Sequence, residues 1–163
     1  MRIAIISDSH DNVWKLDSAM PQLAQADVIL HCGDVCSPFT ILRLAQGVQG
    51  KPIHLVWGNN DGDKPLLLAR AAQAGNVTIH GDLAELTLDG LTVAVNHYPN
   101  IARALAESGR YDLVCYGHDH TAHEERVGRT LLLNPGEVMG LHGRSTLALF
   151  VTRSQKVAWV DLA

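Results

Sequence analysis

The first eighty residues are most constrained by an alternation in which short apolar runs of strand length are separated by segments with helical periodicity. Residues 2–7 form an isoleucine-rich run that breaks off in Asp8-Ser9-His10-Asp11-Asn12. Asp27–His31, Ile53–Trp57 and Val77–His80 repeat the theme. The first, an unbroken apolar run, reads as a strand buried on both faces, and the others as further short strands. Between them, Val13, Leu16, Met20 and Leu23 recur at helical spacing, and Pro21 is expected to kink or divide that segment. Ser37-Pro38 supplies an N-cap and first-turn pair for a helix through about Gln46. Asp63 with Pro65 starts another helix, and Gly75-Asn76 stops it. The order β-α-β-α-β-α-β calls for a parallel sheet, and such sheets bind ligands in the loops leaving the carboxyl ends of their strands.

The second half changes character. Glu85–Leu88 and Leu91–Val95 flank Asp89-Gly90, a turn pair that favours a two-residue β-hairpin. A helix follows from Asn100 to about Ser108, then a strand over Asp112–Tyr116. Stretches around Arg129–Leu133, Thr146–Thr152 and Val157–Asp161 read as antiparallel strands. Two sheets packed face to face with helices outside satisfy the need to cover so many apolar strands. With 163 residues and neither repeat nor linker, the chain reads as one domain spanning 1–163.

Composition narrows the function classes. Charged residues make up 18% of the chain and the formal net charge is −4, with Lys and Arg scattered singly, so no basic track exists for tight nucleic-acid binding. The opening apolar run is too short for a signal h-region or a membrane span, which points to the cytoplasm and away from membranes. Cys32, Cys36 and Cys115 form no CxxC pair and read as small buried apolar residues of a reducing compartment. Nine histidines are the unusual number, because imidazole is suited to metal ligation and to proton transfer near neutral pH.

Several of those histidines fall, with acids and an amide, at strand ends. Asp8 and His10 follow the first strand, Asp34 the second and Asn59 the third. His97 ends the hairpin strand, while His118 and His120 follow the Asp112–Tyr116 strand with one residue between them, a spacing that lets both point the same way. Seven N and O donors suit borderline divalent ions such as Mn²⁺, Fe²⁺, Co²⁺, Ni²⁺ or Zn²⁺, with Mn²⁺ the first choice. Seven ligands exceed one tetrahedral ion but fit two ions about 3.5–4 Å apart that share a carboxylate.

The ordered series Asp8-Ser9-His10, Gly33-Asp34, Gly58-Asn59-Asn60-Asp61, His97 and Gly117-His118-Asp119-His120 resembles the calcineurin-like metallophosphoesterases, whose motifs run D-x-H, G-D, G-N-x-D/E, H and G-H-x-H. Asn134-Pro135-Gly136 and the chain length are similar to the compact single-domain branch of bacterial and archaeal phosphodiesterases. The resemblance implies a four-layer α/β/β/α sandwich of two mixed sheets flanked by helices. It also implies one ion on Asp8, His10, Asp34 and His120 and a second on Asp34, Asn59, His97 and His118, with Asp34 as the bridge. The nucleophile would then be a hydroxide between the metals and not a side chain, and Asp61 would orient a ligand from behind.

The chain departs from the family at two positions. Asn60 stands where many larger relatives carry a histidine that serves the leaving group, which leaves the general acid open and favours aryl diesters or another proton source. His97-Tyr98-Pro99 replaces the usual His-Gly and brings an aromatic ring toward the pocket. Asn12, Asn60 and Tyr98 are the candidate substrate contacts. Asp11 and Asn12 equally suit a solvated loop and helix cap. His31, His54 and His80 read as structural, His123 and His142 as pocket or surface residues, and Trp14, Trp57 and Trp159 as packing residues. The expected activity is a metal-dependent phosphodiesterase acting on a small or aryl phosphodiester. A phosphomonoesterase and a metal-binding protein-interaction scaffold of the same fold are the alternatives. Relatives that self-associate make a homo-oligomer compatible with the resemblance.

Overall fold

The structure, a computed structural model, describes residues 1–163. The elements in chain order are β1 (Arg2–Ile6), α1 (Val13–Leu23), β2 (Val28–His31), α2 (Pro38–Gly47), β3 (Ile53–Leu55), α3 (Lys64–Ala74), β4 (Val77–Ile79), β5 (Leu83–Leu88), β6 (Leu91–Asn96), α4 (Pro99–Glu107), β7 (Leu113–Cys115), β8 (His123–Val127), β9 (Thr130–Asn134), β10 (Thr146–Val151) and β11 (Lys156–Asp161). One sheet has the order β11-β10-β1-β2-β3-β4 and the other β5-β6-β7-β9-β8. β1 to β4 are parallel and β10 runs antiparallel beside β1. In the second sheet β6, β7 and β9 are parallel, with β5 and β8 antiparallel at the two edges.

Alternation along β1 explains the layering. Ile3 and Ile5 face the second sheet, where they join Val28, Leu30, Val93, Val95, Leu113, Leu133 and Phe150. Ala4 and Ile6 face the other way, against Leu16, Ala19 and Leu23 of α1 and Leu44 of α2. Leu67 of α3 packs on Val35, Ile41 and Leu55. Ala102 and Ala106 of α4 cover Ala94, Val114 and Leu132 on the outside of the second sheet. The molecule is therefore the four-layer α/β/β/α sandwich, each sheet buried on one face by the other sheet and on the opposite face by helices. At the Asp89-Gly90 turn both residues have positive φ, 51° and 82°, as the expected two-residue hairpin requires.

Four local expectations are corrected. Pro21 does not divide α1, which runs through it and stops two residues later at Leu23, so the lost N–H bond falls in the final turn. β9 is not antiparallel to its neighbour β7. It joins in parallel, and β8, a strand of mostly charged residues absent from the sequence reading, supplies the antiparallel partner. Trp57 and Trp159 pack against the core, but Trp14 is 79% exposed, because it lies opposite the Leu16–Ala19–Leu23 face of α1. Cys32 and Cys115 are buried, whereas Cys36 is only half-buried. No helix is long and apolar enough to cross a membrane.

Candidate metal centre

Every motif residue lies just past the carboxyl end of a strand, and the loops are laced together by backbone hydrogen bonds. Asp8 N–H donates to Gly33 O at 3.1 Å, His10 N–H to Asp34 O at 3.1 Å, and Gly117 N–H to His97 O at 3.0 Å. Packing this close demands glycine at three places, the first being Gly33, where φ is +102° and a Cβ would stand 2.6 Å from His97 Nδ1 and 2.9 Å from Gly58 N. A Cβ on Gly58 would stand 2.1 Å from Asp34 Oδ1, and one on Gly117 would stand 2.0 Å from Ser7 Oγ and 2.6 Å from Asp8 Oδ2. This is the physical content of the glycines preceding Asp34, Asn59 and His118. Asp8, His10, Asp34, His118 and His120 all hold positive φ. A left-handed backbone at non-glycine residues costs roughly 1–3 kcal/mol each and persists where surrounding structure imposes it, as at functional sites.

The seven donors converge, with Asp34 at the centre. Its Oδ2 is 3.4 Å from His10 Nε2 and 3.5 Å from His97 Nε2. Asp8 Oδ1 lies 3.7 Å from His10 Nε2 and 3.5 Å from His120 Nε2. The His10 and His120 rings stack at 5.3 Å. At the other end Asn59 Oδ1 is 3.0 Å from His97 Nε2 and 2.9 Å from His118 Nδ1. His118 and His120 thus do not point the same way: one joins Asn59 and His97, the other Asp8 and His10. Asp8, His10 and His120 form one group able to hold a metal ion, and Asp8, Asp34 and His97 a second.

The electrostatics suit a cation. Asp8 Oδ1, His10 Nε2 and Ser7 Oγ are buried without hydrogen-bond partners, a costly state that a bound ion would relieve at the first two. Burial pushes Asp8 up, yet the nearness of His10 and Ser7 and the charges of His97 and His120 outweigh it and hold the carboxyl below its ordinary value. Asp34 is held well below the carboxylate range in the same way, with His97 and Asn60 overcoming burial. The ring nitrogens are already sorted. His97 Nδ1 donates to Cys32 O at 2.8 Å, which leaves the Nε2 lone pair facing the centre.

The remaining predicted residues take varied places. Asp61, nearly buried, accepts from Gly58 N–H at 2.7 Å, Cys36 N–H at 2.8 Å and Asp34 N–H at 3.2 Å, so it organises the loop backbone. Asn12 spends its amide on capping α1 at Lys15 N–H and on Met139 O, and Asp11 accepts from Ser37 N–H at the start of α2. Asn60 turns inward, its backbone N–H and side-chain NH₂ each donating to Asp34 at 2.8 Å. Tyr98 stands edge-on to His97 and His118, both at 5.1 Å. His31 is buried between Ser9 Oγ and Gly33 N–H, His54 and His80 pair with each other at 2.9 Å, and His123 lies exposed beside Glu125. The His142 ring stands edge-on to His120 at 5.1 Å.

Two neighbours of the centre escaped the sequence reading. Glu137 is fully buried and accepts from His120 Nδ1 at 2.6 Å. The available signal was an acid set between Asn134-Pro135-Gly136 and the apolar Val138. Cys36 Sγ lies 3.5 Å from His10 Nδ1.

The family model for the calcineurin-like phosphoesterase superfamily domain matches residues 1–155. The chain is 30% identical over 161 residues to the phosphodiesterase MJ0936 of Methanocaldococcus jannaschii, covering 96% of each protein. Its fold is similar to that of a novel archaeal phosphodiesterase, with a TM-score of 0.91, 28% identity and coverage of 99% and 100% of the two chains. It is also similar to Chaetomium thermophilum Vps29, with a TM-score of 0.70, 16% identity and coverage of 99% and 97%, a likeness of fold alone.

Proposed function

Because the chain belongs to the calcineurin-like phosphoesterase superfamily, we propose that it is a metal-dependent phosphodiesterase of the cytoplasm, hydrolysing a small or aryl phosphodiester. The observation that carries this reading is the convergence of seven N and O donors around two buried, unpartnered atoms, Asp8 Oδ1 and His10 Nε2. Asp8, His10, Asp34 and His120 would hold one divalent ion and Asp34, Asn59, His97 and His118 another, with Mn²⁺ favoured over Ni²⁺, Co²⁺, Fe²⁺ or Zn²⁺. The pair would neutralise the phosphoryl charge and acidify water to attack phosphorus near neutral pH.

The chain's own residues set the rest. His97 and His120 each donate Nδ1–H away from the centre, to Cys32 O and Glu137, so Nε2 is the ligating atom in both. Asn59 contributes a neutral oxygen and adds no negative charge where a phosphate must approach. Attack forms one P–O bond and breaks another, and the departing oxygen needs a proton only when it is a strong base. Asn60 is engaged with Asp34 and carries no acidic proton, which favours aryl leaving groups. Tyr98 offers a ring beside His118 for such a group. The competing readings are a phosphomonoesterase with the same site and a metal-binding interaction scaffold of the same fold.

The test is turnover of bis-p-nitrophenyl phosphate and p-nitrophenyl phosphate by metal-stripped protein after adding back each metal, with Asp34→Ala as control. Diester turnover restored by metal and lost in the variant is expected. Preference for the monoester would make the protein a phosphatase, and no turnover with metal still bound would favour the scaffold.

A further inference from the structure

Glu137 is a fully buried carboxylate with three donors on its two oxygens. Oε2 accepts from His120 Nδ1 at 2.6 Å, and Oε1 accepts from two consecutive backbone amides, His142 N–H at 2.7 Å and Gly143 N–H at 3.1 Å. One side chain therefore joins a proposed metal ligand to the loop after β9. That loop is held from two further directions, by Asn12 Nδ2 on Met139 O and by Met139 N–H on Asp8 O. Within it, His142 is exposed and presents its ring edge-on to His120. Among the exposed residues around the centre, Asn60 is turned onto Asp34. His142 is the exposed imidazole beside the ligands that belongs to neither ligand set.

We propose that Glu137 is a positioning residue that sets His120 as an Nε2 ligand and, through its other oxygen, holds His142 at the mouth of the centre as a hydrogen-bond donor to the substrate phosphoryl group. The proposal rests on the metal-site reading above. Its logic is that of carboxylates behind metal-bound imidazoles, which fix the tautomer and the ring plane. Their loss typically weakens metal binding or activity about 10- to 100-fold. The added element here is that the same carboxylate gathers the loop, so ligand geometry and substrate contact are coupled through one buried group.

Metal affinity is measured by competition with a chelator, and the His120 tautomer by ¹⁵N imidazole NMR of the metal-free protein. KM for bis-p-nitrophenyl phosphate and competitive inhibition by inorganic phosphate complete the set. E137A is expected to weaken metal binding about 10- to 100-fold and to shift His120 away from the Nδ1–H tautomer. E137Q, with one acceptor oxygen in place of two, recovers part of that loss. H142A is expected to keep the metal affinity and the tautomer while raising both KM and the inhibition constant of phosphate. Near-UV circular dichroism checks that each variant is folded, and E137Q and H142A carry the test if E137A is not. Unchanged affinity and tautomer in folded E137A and E137Q would overturn the positioning role. Unchanged KM and phosphate inhibition in H142A would overturn the contact at the mouth. Asp34→Ala binding metal as tightly as the unaltered protein would overturn the metal-site reading itself, an outcome separate from the other two.

Discussion

The two ends of the donor cluster share Asp34 but are built differently. At one end stand Asp8, His10 and His120, buried or half-buried, with Glu137 behind His120. At the other stand Asn59, His97 and His118, which contribute no carboxylate of their own, and Asn59 and His118 are exposed. The first end concentrates negative charge in a low-dielectric surround, which favours holding a cation firmly. The second is open and neutral, which favours approach of an anionic phosphodiester. The difference teaches that one site could separate retention of metal from reception of substrate by placing its one unshared carboxylate, Asp8, on one side.

The largest effect expected from breaking this arrangement comes at the shared residue. Asp34→Ala should lower kcat/KM for the diester at least about 10³-fold, since it removes charge from both ends at once. Kinetics with metal in excess check this, and a loss below about tenfold would rule out a shared role. Next, His120→Ala and Asn59→Ala should separate the ends. The first should weaken the tighter metal-binding phase about 10- to 100-fold and the second the weaker phase, in a two-phase titration followed calorimetrically. If both variants disturb the same phase, the two ends do not act as separate sites.

A steric prediction follows from the loop packing. Gly117→Ala places a methyl against Ser7 Oγ and Asp8 Oδ2 and should cost about 1–3 kcal/mol of stability, because buried backbone must shift. It should also weaken metal binding at the Asp8 end before the Asn59 end. Denaturant melts with and without metal test both parts.

An effect confined to acid pH concerns His31, which lies between Ser9 and Gly33. Burial lowers its pKa from 6.5 to about 4, against the pull of Asp61, Asp8 and Asp34. The unfolded chain takes up a proton near pH 6.5, whereas the folded one does so only near 4. Its contribution to stability is therefore full above about pH 6.5 and falls as pH drops toward 4, at a limiting slope of about 1.4 kcal/mol per pH unit. Melts of metal-free protein across that window should show the slope, and His31→Gln should flatten it. An equal slope in the variant would place the pH dependence elsewhere.

Much of the fold was legible because its signals are local. The apolar runs ending at Asp8, Asp34 and Asn59, the Ser37-Pro38 and Asp63-Pro65 helix starts and the Asp89-Gly90 hairpin all depend on neighbours a few residues away. Where neighbours are distant, local pattern gave out. β8 reads as a charged surface segment and becomes a strand only because Glu124 and Arg126 sit across from Leu133 and Leu131 of β9. Trp14 has an apolar side chain, but its place on the helix wheel puts it in solvent.

The same division runs through the candidate site. The sequence by itself determined which seven donors stand at strand ends and that glycines precede three of them, because strand length, turn composition and motif spacing are properties of contiguous residues. Tertiary structure alone decided that His118 and His120 go to opposite ends, that Asn60 folds onto Asp34, and that Glu137 lies behind His120. Each of those outcomes depends on the direction of a side chain relative to a loop that can be more than a hundred residues away, as with His118 N–H on Asp8. Directions of that kind are set by the register of two sheets packed against each other, which no window of sequence contains.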